Sequence, residues 1–382
     1  MTDVLIVGIG QTPVGEHWDI SLRELAFQAI EAAQADSGGI KPQALFVGNM
    51  LAPMISSQAH LGALIADFSG LRGIEAYTTE AAGASGGAAL RAGYLAVKSG
   101  FVDSALVVGV EKMTDRVGPE VDSAVATSLD SDYEAVQGLT PVGQAALLMR
   151  RYLHIYDLQH EVFSSFALTA HANGAGNPNA MFRRAINLEF YNRAGVISEP
   201  LNMFDAAPDA DGAAAVILTR SDLVPIQSGR PQIRIAGSAV ATDTLALHDR
   251  PELLDFRAAR LSVERARLQA KIRMDEIDFF ELYDAYSIFA TLSLESAGFA
   301  ERGRGWQTAQ NGEAALPILT MGGLKARGNP WGATGVYQTV EAVLQLRCQS
   351  GDNQIPDAKW GMAQCFGGPA STAVTHIFER IA

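Results

Sequence analysis

Glu80-Ala81-Ala82-Gly83-Ala84-Ser85-Gly86-Gly87 is a turn of small residues set between two regular elements. Ile74 to Thr79 before it reads as a strand, and Ala88 to Val97 after it places apolar residues at helical spacing. A turn that ends a strand and opens a helix aims backbone N–H groups and the positive end of a dipole at one point. Such a point suits a nucleophile or an oxyanion, yet this turn holds no Cys, His, Asp or Lys.

Around that turn lies a chain of 382 residues, long enough for two or three domain-sized units with real cores. The net charge of −13 argues against a nucleic-acid partner or an anionic membrane surface, so any anionic ligand needs a local basic site. Two cysteines, Cys348 and Cys365, make no disulfide framework and fit a reducing, cytoplasmic setting. The first residues, Met1 to Gly8, lack a basic run and a long apolar core, so neither a signal peptide nor a membrane span is expected. The seven histidines show no ligand spacing, and no metal site is expected.

Strands expected at Val4–Val7, Ala44–Gly48 and Ser104–Glu111 alternate with helices, one opened by the capping box Ser21-Leu22-Arg23-Glu24, as in a layered α/β fold. Gly8-Ile9-Gly10 hints at a dinucleotide turn, but Pro13 interrupts it and no helix follows until Ser21. Residues 114–205 read as a helix-rich insertion covering one face, with a helical run from Pro141 to Ala172. The second half then repeats the order of the first. Strands are expected at Ile233–Gly237, Ile277–Tyr283 and Trp360–Cys365, and helices at Arg257–Ile272 and Val336–Leu346. Asn329-Pro-Trp-Gly-Ala-Thr-Gly335 is the counterpart of the first turn, so two helix N-termini converge on one site. The expected units are residues 1–225, with the insertion at 114–205, and residues 226–382.

Val7 to Gly15, Ala84 to Arg91, Gly109 to Met113, Asn177 to Ala180, Asp211 to Ala215, Gly322 to Gly328 and Gly332 to Gln338 together resemble a thiolase, of the archaeal acetoacetyl-CoA or sterol-carrier-protein type. The resemblance covers nearly the whole chain. It implies a five-layered αβαβα sandwich of two βαβαβαββ halves with an inserted loop domain. It also implies a homodimer, with Gly86, Gly87 and Ala88 packing near the dimer interface, CoA thioesters as substrate or ligand, no tightly bound cofactor, and a possible small OB-fold partner bearing a zinc ribbon.

Of the four motifs that carry thiolase chemistry, three depart. Gly83 stands where the nucleophilic cysteine belongs, Tyr283-Asp284-Ala285-Tyr286 replaces the Asn- or His-led motif, and Gly328-Asn329-Pro330 replaces Gly-His-Pro. Cys365-Phe366-Gly367 is intact. Glycine has no side chain to acylate, which excludes covalent acyl transfer at that position. The backbone N–H groups of Gly83 and Gly367, the amide of Asn329 and the phenol of Tyr283 remain as oxyanion donors, and Cys365 as the acid/base at the α-carbon. Loss of the cysteine side chain is expected to leave open space at Gly83.

Three readings follow: an acyl-CoA enzyme that makes or breaks a C–C bond through a stabilised enolate, aldolase-like or acyltransferase-related; a catalytically silent subunit of an acyl-CoA enzyme; and a serine hydrolase at Ser85, since Gly83-Ala-Ser-Gly-Gly87 matches G-x-S-x-G. Purified protein incubated with acetoacetyl-CoA and CoA is predicted to show neither thiolysis nor an acetyl adduct by intact mass. An adduct that survives isolation would reveal another nucleophile.

Overall fold

A computed structural model describes residues 2–224, 230–310 and 316–381. The strands are β1 (Val4–Gln11), β2 (Ala44–Gly48), β3 (Glu75–Thr79), β4 (Ser104–Glu111), β5 (Val196–Ser198), β6 (Leu201–Asn202), β7 (Gly212–Arg220), β8 (Ile233–Thr242), β9 (Phe279–Glu281), β10 (Trp360–Gly367) and β11 (Thr372–Arg380). The first half contributes helices α1 (Leu22–Asp36), α2 (Ala52–Ile55), α3 (Leu61–Phe68) and α4 (Ser85–Ser99). The insertion contributes α5 (Pro119–Ala126), α6 (Pro141–Tyr156), α7 (Ser164–Gly176) and α8 (Leu188–Arg193). The second half contributes α9 (Arg257–Ala270), α10 (Ser287–Ala297), α11 (Gly305–Thr308), α12 (Gly323–Arg327) and α13 (Thr334–Leu346).

Strands in the order β3-β2-β4-β7-β1 form the sheet of the first half, and β8-β11-β10-β9 that of the second. Among the described residues two pairs, Leu5–Arg234 and Ile6–Ile233, join them through β1 and β8. Between the sheets lie α4 and α13: Leu90, Tyr94 and Val97 share one apolar cluster with Val336, Val340 and Val343 and with strand residues of both halves. Outside the first sheet, Leu25, Ala29 and Ile30 of α1 and Ile65 of α3 pack on Val47, Leu106 and Ile217. Outside the second, α9 and α10 pack with the insertion's α6 through Val263, Phe289 and Tyr152. That is the expected five-layered sandwich. The capping box of α1 is present, with Ser21 Oγ accepting from Glu24 N (3.4 Å) and Glu24 Oε2 from Ser21 N (2.8 Å).

The two central helices begin alike. Each follows a tight single turn, Ala82–Ala84 before α4 and Trp331–Ala333 before α13, and each turn starts on a left-handed residue, Ala82 at φ 50° and Trp331 at φ 32°. Non-glycine residues there carry strain, and finding it at equivalent positions supports the internal repeat.

The structure differs from the sequence reading in four respects. The run Pro141 to Ala172 is two helices, because Asp157 adopts φ 50° and ends α6. The strand expected at Ile277–Tyr283 shortens to Phe279–Glu281, since the chain leaves the sheet at Leu282 to deliver Tyr283 and Asp284 inward. The closing strand β11 was not expected; it pairs β10 to β8. Gly86 and Gly87 do not wait for a second subunit. They are filled from within the chain: a β-carbon on Gly86 would lie 2.9 Å from Gly332 O, and one on Gly87 would overlap Cys365 Sγ. The division expected between residues 225 and 226 falls outside the described residues.

Gly335, in the first turn of α13, completes this contact, since a β-carbon there would overlap Gly87 N and lie 2.9 Å from Gly87 Cα. Rigid backbone cannot yield as a side chain can. Gly335→Ala is predicted to cost about 1–3 kcal/mol of stability in guanidinium unfolding, the range for overpacking a close-packed site. An unchanged midpoint would show that the helices slide apart freely.

Candidate active site

Tyr283 reaches the first turn from the opposite half. A β-carbon built on Gly83 would overlap the Tyr283 hydroxyl oxygen, and would lie 3.1 Å from its Cζ and 2.6 Å from Phe366 O. The space expected to be vacant is therefore filled: the phenol stands where a cysteine side chain would extend. Its ring packs on Phe366 with centroids 5.5 Å apart. Gln338 of α13 fixes the approach, its Nε2 donating to Leu282 O (2.9 Å), Gln364 O (3.1 Å) and Glu281 O (3.2 Å). Tyr283 is 2% exposed. Burial first, and then the neighbouring Cys365, hold its phenol above the ordinary value, so it is a neutral donor.

Cys365 lies near the end of β10, between the two helix starts. Its Sγ lies 3.9 Å from Ala84 O and 3.0 Å from where a β-carbon of Gly335 would stand. Burial pushes its thiol up to about 12, against the pull of the Gly87 N–H. At neutral pH this is a thiol that can give a proton, not a thiolate ready to take one. Gly367 passes tightly over the first turn, since a β-carbon there would lie 2.5 Å from Ala81 O.

The two turns differ in what receives their central N–H. Gly332 N donates to Glu111 Oε2 (3.2 Å), a buried carboxylate that also accepts from Met50 N (2.9 Å), Leu51 N (3.1 Å) and Asn49 Nδ2 (2.8 Å). Burial pushes Glu111 up to about 7 despite these four donors. At the first turn Ala82 N goes to Glu80 Oε1 (2.6 Å) and Ala84 N to Ala81 O (3.0 Å), while Gly83 N has no chain acceptor among the described residues. The second turn carries its own carboxyl acceptor; the first presents its N–H beside a phenol.

Asn329 precedes the second turn, its Oδ1 accepting from Trp331 N (3.2 Å); no hydrogen bond joins it to Tyr283 among the described residues. Asp284 accepts from Leu324 N (2.7 Å) and Lys325 N (3.1 Å), anchoring the first turn of α12, which leads to Asn329, and burial pushes it up to about 6. Ser85 Oγ is spent on its own turn, accepting from Ala81 N (2.9 Å) and donating to Ala82 O (2.6 Å). The buried His376 donates from Nε2 to Gly87 O (3.0 Å) instead. Ser85 thus has no imidazole partner among the described residues, which overturns the serine-hydrolase reading.

The model of the thiolase N-terminal domain matches residues 4–222, and that of the thiolase C-terminal domain-like family matches residues 239–380. The chain belongs to the thiolase family. An acetyl-CoA acetyltransferase of Methanothermobacter thermautotrophicus is 39% identical over 386 residues, covering the whole of both thiolase chains. The 17-hydroxy-3-oxo-4-pregnene-20-carboxyl-CoA lyase of Mycobacterium tuberculosis is 26% identical, covering 90% of this chain and 91% of that one. Among solved thiolase folds, the Ltp2-ChsH2(DUF35) aldolase superposes with a TM-score of 0.83 at 24% identity, over 99% of this chain and 98% of that one.

Sequence reasoning missed Glu111 and also a groove of about 920 Å³ lined by Tyr133, Leu139, Leu148, Arg151, His154 and His248. The signal was the basic run Arg150, Arg151, His154 on one stretch of α6. The described residues include no grouping of His, Cys, Asp and Glu fit for a metal, and no helix long and apolar enough to cross a membrane.

A methyl group at residue 83 must contend with the Tyr283 hydroxyl. Gly83→Ala is predicted to cost about 1–3 kcal/mol in unfolding experiments, and less in a Tyr283→Phe background. Equal costs in the two backgrounds would mean that the phenol does not occupy this position.

Proposed function

We propose that this thiolase-family chain binds an acyl-CoA thioester without being acylated and cleaves a C–C bond next to it, as a retro-aldol lyase. The observation that carries the reading is the Tyr283 hydroxyl in the place of the nucleophile, beside a free Gly83 N–H. A donor there cannot attack a thioester but stabilises charge that develops on its oxygen.

For a β-hydroxyacyl-CoA, the Cα–Cβ bond breaks and its electron pair enters the enolate. The β-hydroxyl becomes a carbonyl and releases a proton. Tyr283 and the Gly83 N–H hold the enolate oxygen, and the Cys365 thiol protonates the α-carbon. The β-hydroxyl proton passes to solvent water and the thiolate left by the delivery takes one back from it, so thiol and phenol end as they began. Raised by burial, the Cys365 thiol is protonated at neutral pH and delivers its proton to the α-carbon once the C–C bond has broken.

The groove supports the same reading, because a chain of charge −13 needs local cations for an anionic nucleotide. Arg150, Arg151 and His154 edge it, and the rings of Tyr133 and His248, 5.8 Å apart, offer a stacking surface. Its wall is tied to the turn after Gly367, since Arg250 Nη1 donates to Pro369 O (2.7 Å) and Nη2 to Ser371 Oγ (2.9 Å). A homodimer is part of the proposal: β3 is an edge strand with Tyr77 exposed, open to pairing with a second copy. So is a small partner of the zinc-ribbon, OB-fold kind; the aldolase of similar fold carries a DUF35 component in its name.

The test is turnover of a panel of β-hydroxyacyl-CoA thioesters by the purified dimer, alone and with the products of neighbouring genes, with mass checked by light scattering. Cleavage to a carbonyl compound and a shorter acyl-CoA is expected. Tyr283→Phe should lower kcat/KM by about 2–4 kcal/mol of transition-state stabilisation, and Cys365→Ala should abolish turnover. Full activity in both variants contradicts the enolate reading, and acyl-CoA binding with no turnover at all turns the assignment to a silent subunit.

A further inference from the structure

Asp209, just before β7, is tied to the second turn from two directions. Asn329 N donates to Pro208 O (3.0 Å) and Ala210 N to Asn329 O (3.3 Å), a parallel bridge that pairs Asp209 with Asn329. Paired residues send their side chains to the same side, so the Asp209 carboxyl is set beside the start of the turn. Trp331 opens that turn at φ 32° and returns its indole to Asp209, Nε1 donating to Oδ1 (2.6 Å). The indole is buried with Met50 and Met113, in a cluster on which Ala82 of the first turn also packs. The residues that head the two turns thus share one apolar wall, and Asp209 is fixed to it.

The carboxyl is only half committed. Oδ1 holds the indole, whereas Oδ2 receives no donor from the chain among the described residues. Asp209 is exposed to solvent, yet the walls around it desolvate it and, against the pull of the Trp331 N–H and with the push of Asp122, hold it above the ordinary value. A carboxyl that keeps accessible surface while protein desolvates it lies in a recess and not on a convex face. The segment leading to Asp209 bridges Tyr286 through Ala206. The Tyr286 ring is buried, its hydroxyl has no partner among the described residues, and burial first, then Asp209, hold its phenol up. Asp122 of α5 and Tyr286 at the head of α10 are the titratable groups that face Asp209 among the described residues.

A buried indole N–H needs an acceptor, and a hydroxyl or a backbone carbonyl would serve without bringing charge into a recess. A carboxylate there, beside Asp122 in a chain of charge −13, is costly to fold around. Its open oxygen is what a base requires.

We propose that Asp209 is the base of the lyase, its Oδ2 taking the β-hydroxyl proton of the bound thioester, and that Trp331 is the positioning residue that keeps this oxygen turned to the substrate. The proposal rests on the retro-aldol reading above and supplies the path by which that proton reaches water. The substrate O–H bond breaks, and its electron pair becomes the π bond of the new carbonyl. The Cα–Cβ pair passes into the enolate. The proton rests on Oδ2 as a carboxylic acid and leaves to water once the carbonyl product departs. The substrate class narrows accordingly to acyl-CoA thioesters with a free β-hydroxyl, since a β-keto group gives Asp209 no proton to take.

The experiment follows kcat and kcat/KM against pH on a β-hydroxyacyl-CoA, with thioester binding measured by calorimetry. Asp209 must be ionised to accept, so wild-type activity should fall as pH falls through its pKa. Asp209→Asn keeps an oxygen for the indole but cannot take a proton. Its kcat should drop by about 10²- to 10⁴-fold, the range for a lost general base, with binding unchanged and the acid limb gone. Trp331→Phe keeps a ring but removes the donor. The indole N–H favours the charged carboxyl, so its loss should move the acid limb to higher pH and lower kcat about 3- to 10-fold. A merely structural acceptor would move no limb. Asp209→Asn with wild-type turnover, while Tyr283→Phe loses activity, overturns the proposal and leaves the lyase reading standing. If Asp209→Asn does not fold, an unmoved limb in Trp331→Phe overturns it. A wild type that binds but cleaves no β-hydroxyacyl-CoA sinks the lyase reading, and the proposal with it.

Discussion

The contact between the N-terminal turns of α4 and α13 is the constraint on which the rest of the molecule depends. Gly86, Gly87 and Gly335 leave no room for a side chain, because the facing atoms are backbone or the Cys365 sulfur. Only there can two helix starts approach at backbone distance, and only then do both turns address one volume. Among the described residues two pairs stitch the two sheets together, so the helix pair between them sets their spacing. Burial of Val336, Val340, Leu90 and Val97 holds that layer in place.

Within this frame, the distribution of charge decides the chemistry. The second turn takes the Glu111 carboxyl as its internal acceptor, while the first has Tyr283 beside it and a Gly83 N–H with no chain acceptor among the described residues. Burial raises both Tyr283 and Cys365, so the centre holds neutral proton donors and no nucleophile that is charged at neutral pH. Nearby acids serve as anchors: Asp284 takes two N–H groups of the loop before Asn329, and Glu341 pairs with the buried Arg327 at 2.7 Å. A site of fixed neutral donors favours an enolate over a tetrahedral acyl-enzyme.

Much of the fold was legible because its signals are local. The small-residue turns at 80–87 and 329–335, the capping box at Ser21 and the apolar runs of β2 and β4 each declare themselves within a few residues. The closing strand β11 was not, since Thr372 to Arg380 mixes Thr, His, Glu and Arg with apolar residues and becomes a strand through pairing on both sides. At the site, the missing cysteine and the altered motifs could be read directly from Gly83, Tyr283 and Asn329. What fills the gap could not. That Tyr283 enters the space beside Gly83 depends on packing between residues 200 positions apart. Likewise Glu111 reaches Gly332, and Thr334 reaches the Asn329 oxygen, only through the turn geometry. Gly86 and Gly87 misled for the same reason: their close neighbour is the other half of the same chain.

The most direct test of the central claim is a crystal structure with a non-cleavable β-hydroxyacyl-CoA analogue bound. The account predicts the thioester oxygen within hydrogen-bond distance of Tyr283 Oη and Gly83 N, with the α-carbon beside Cys365 Sγ and no bond from chain to ligand. A thioester lying elsewhere, with Tyr283 unmoved and no ligand atom near Gly83, would contradict it.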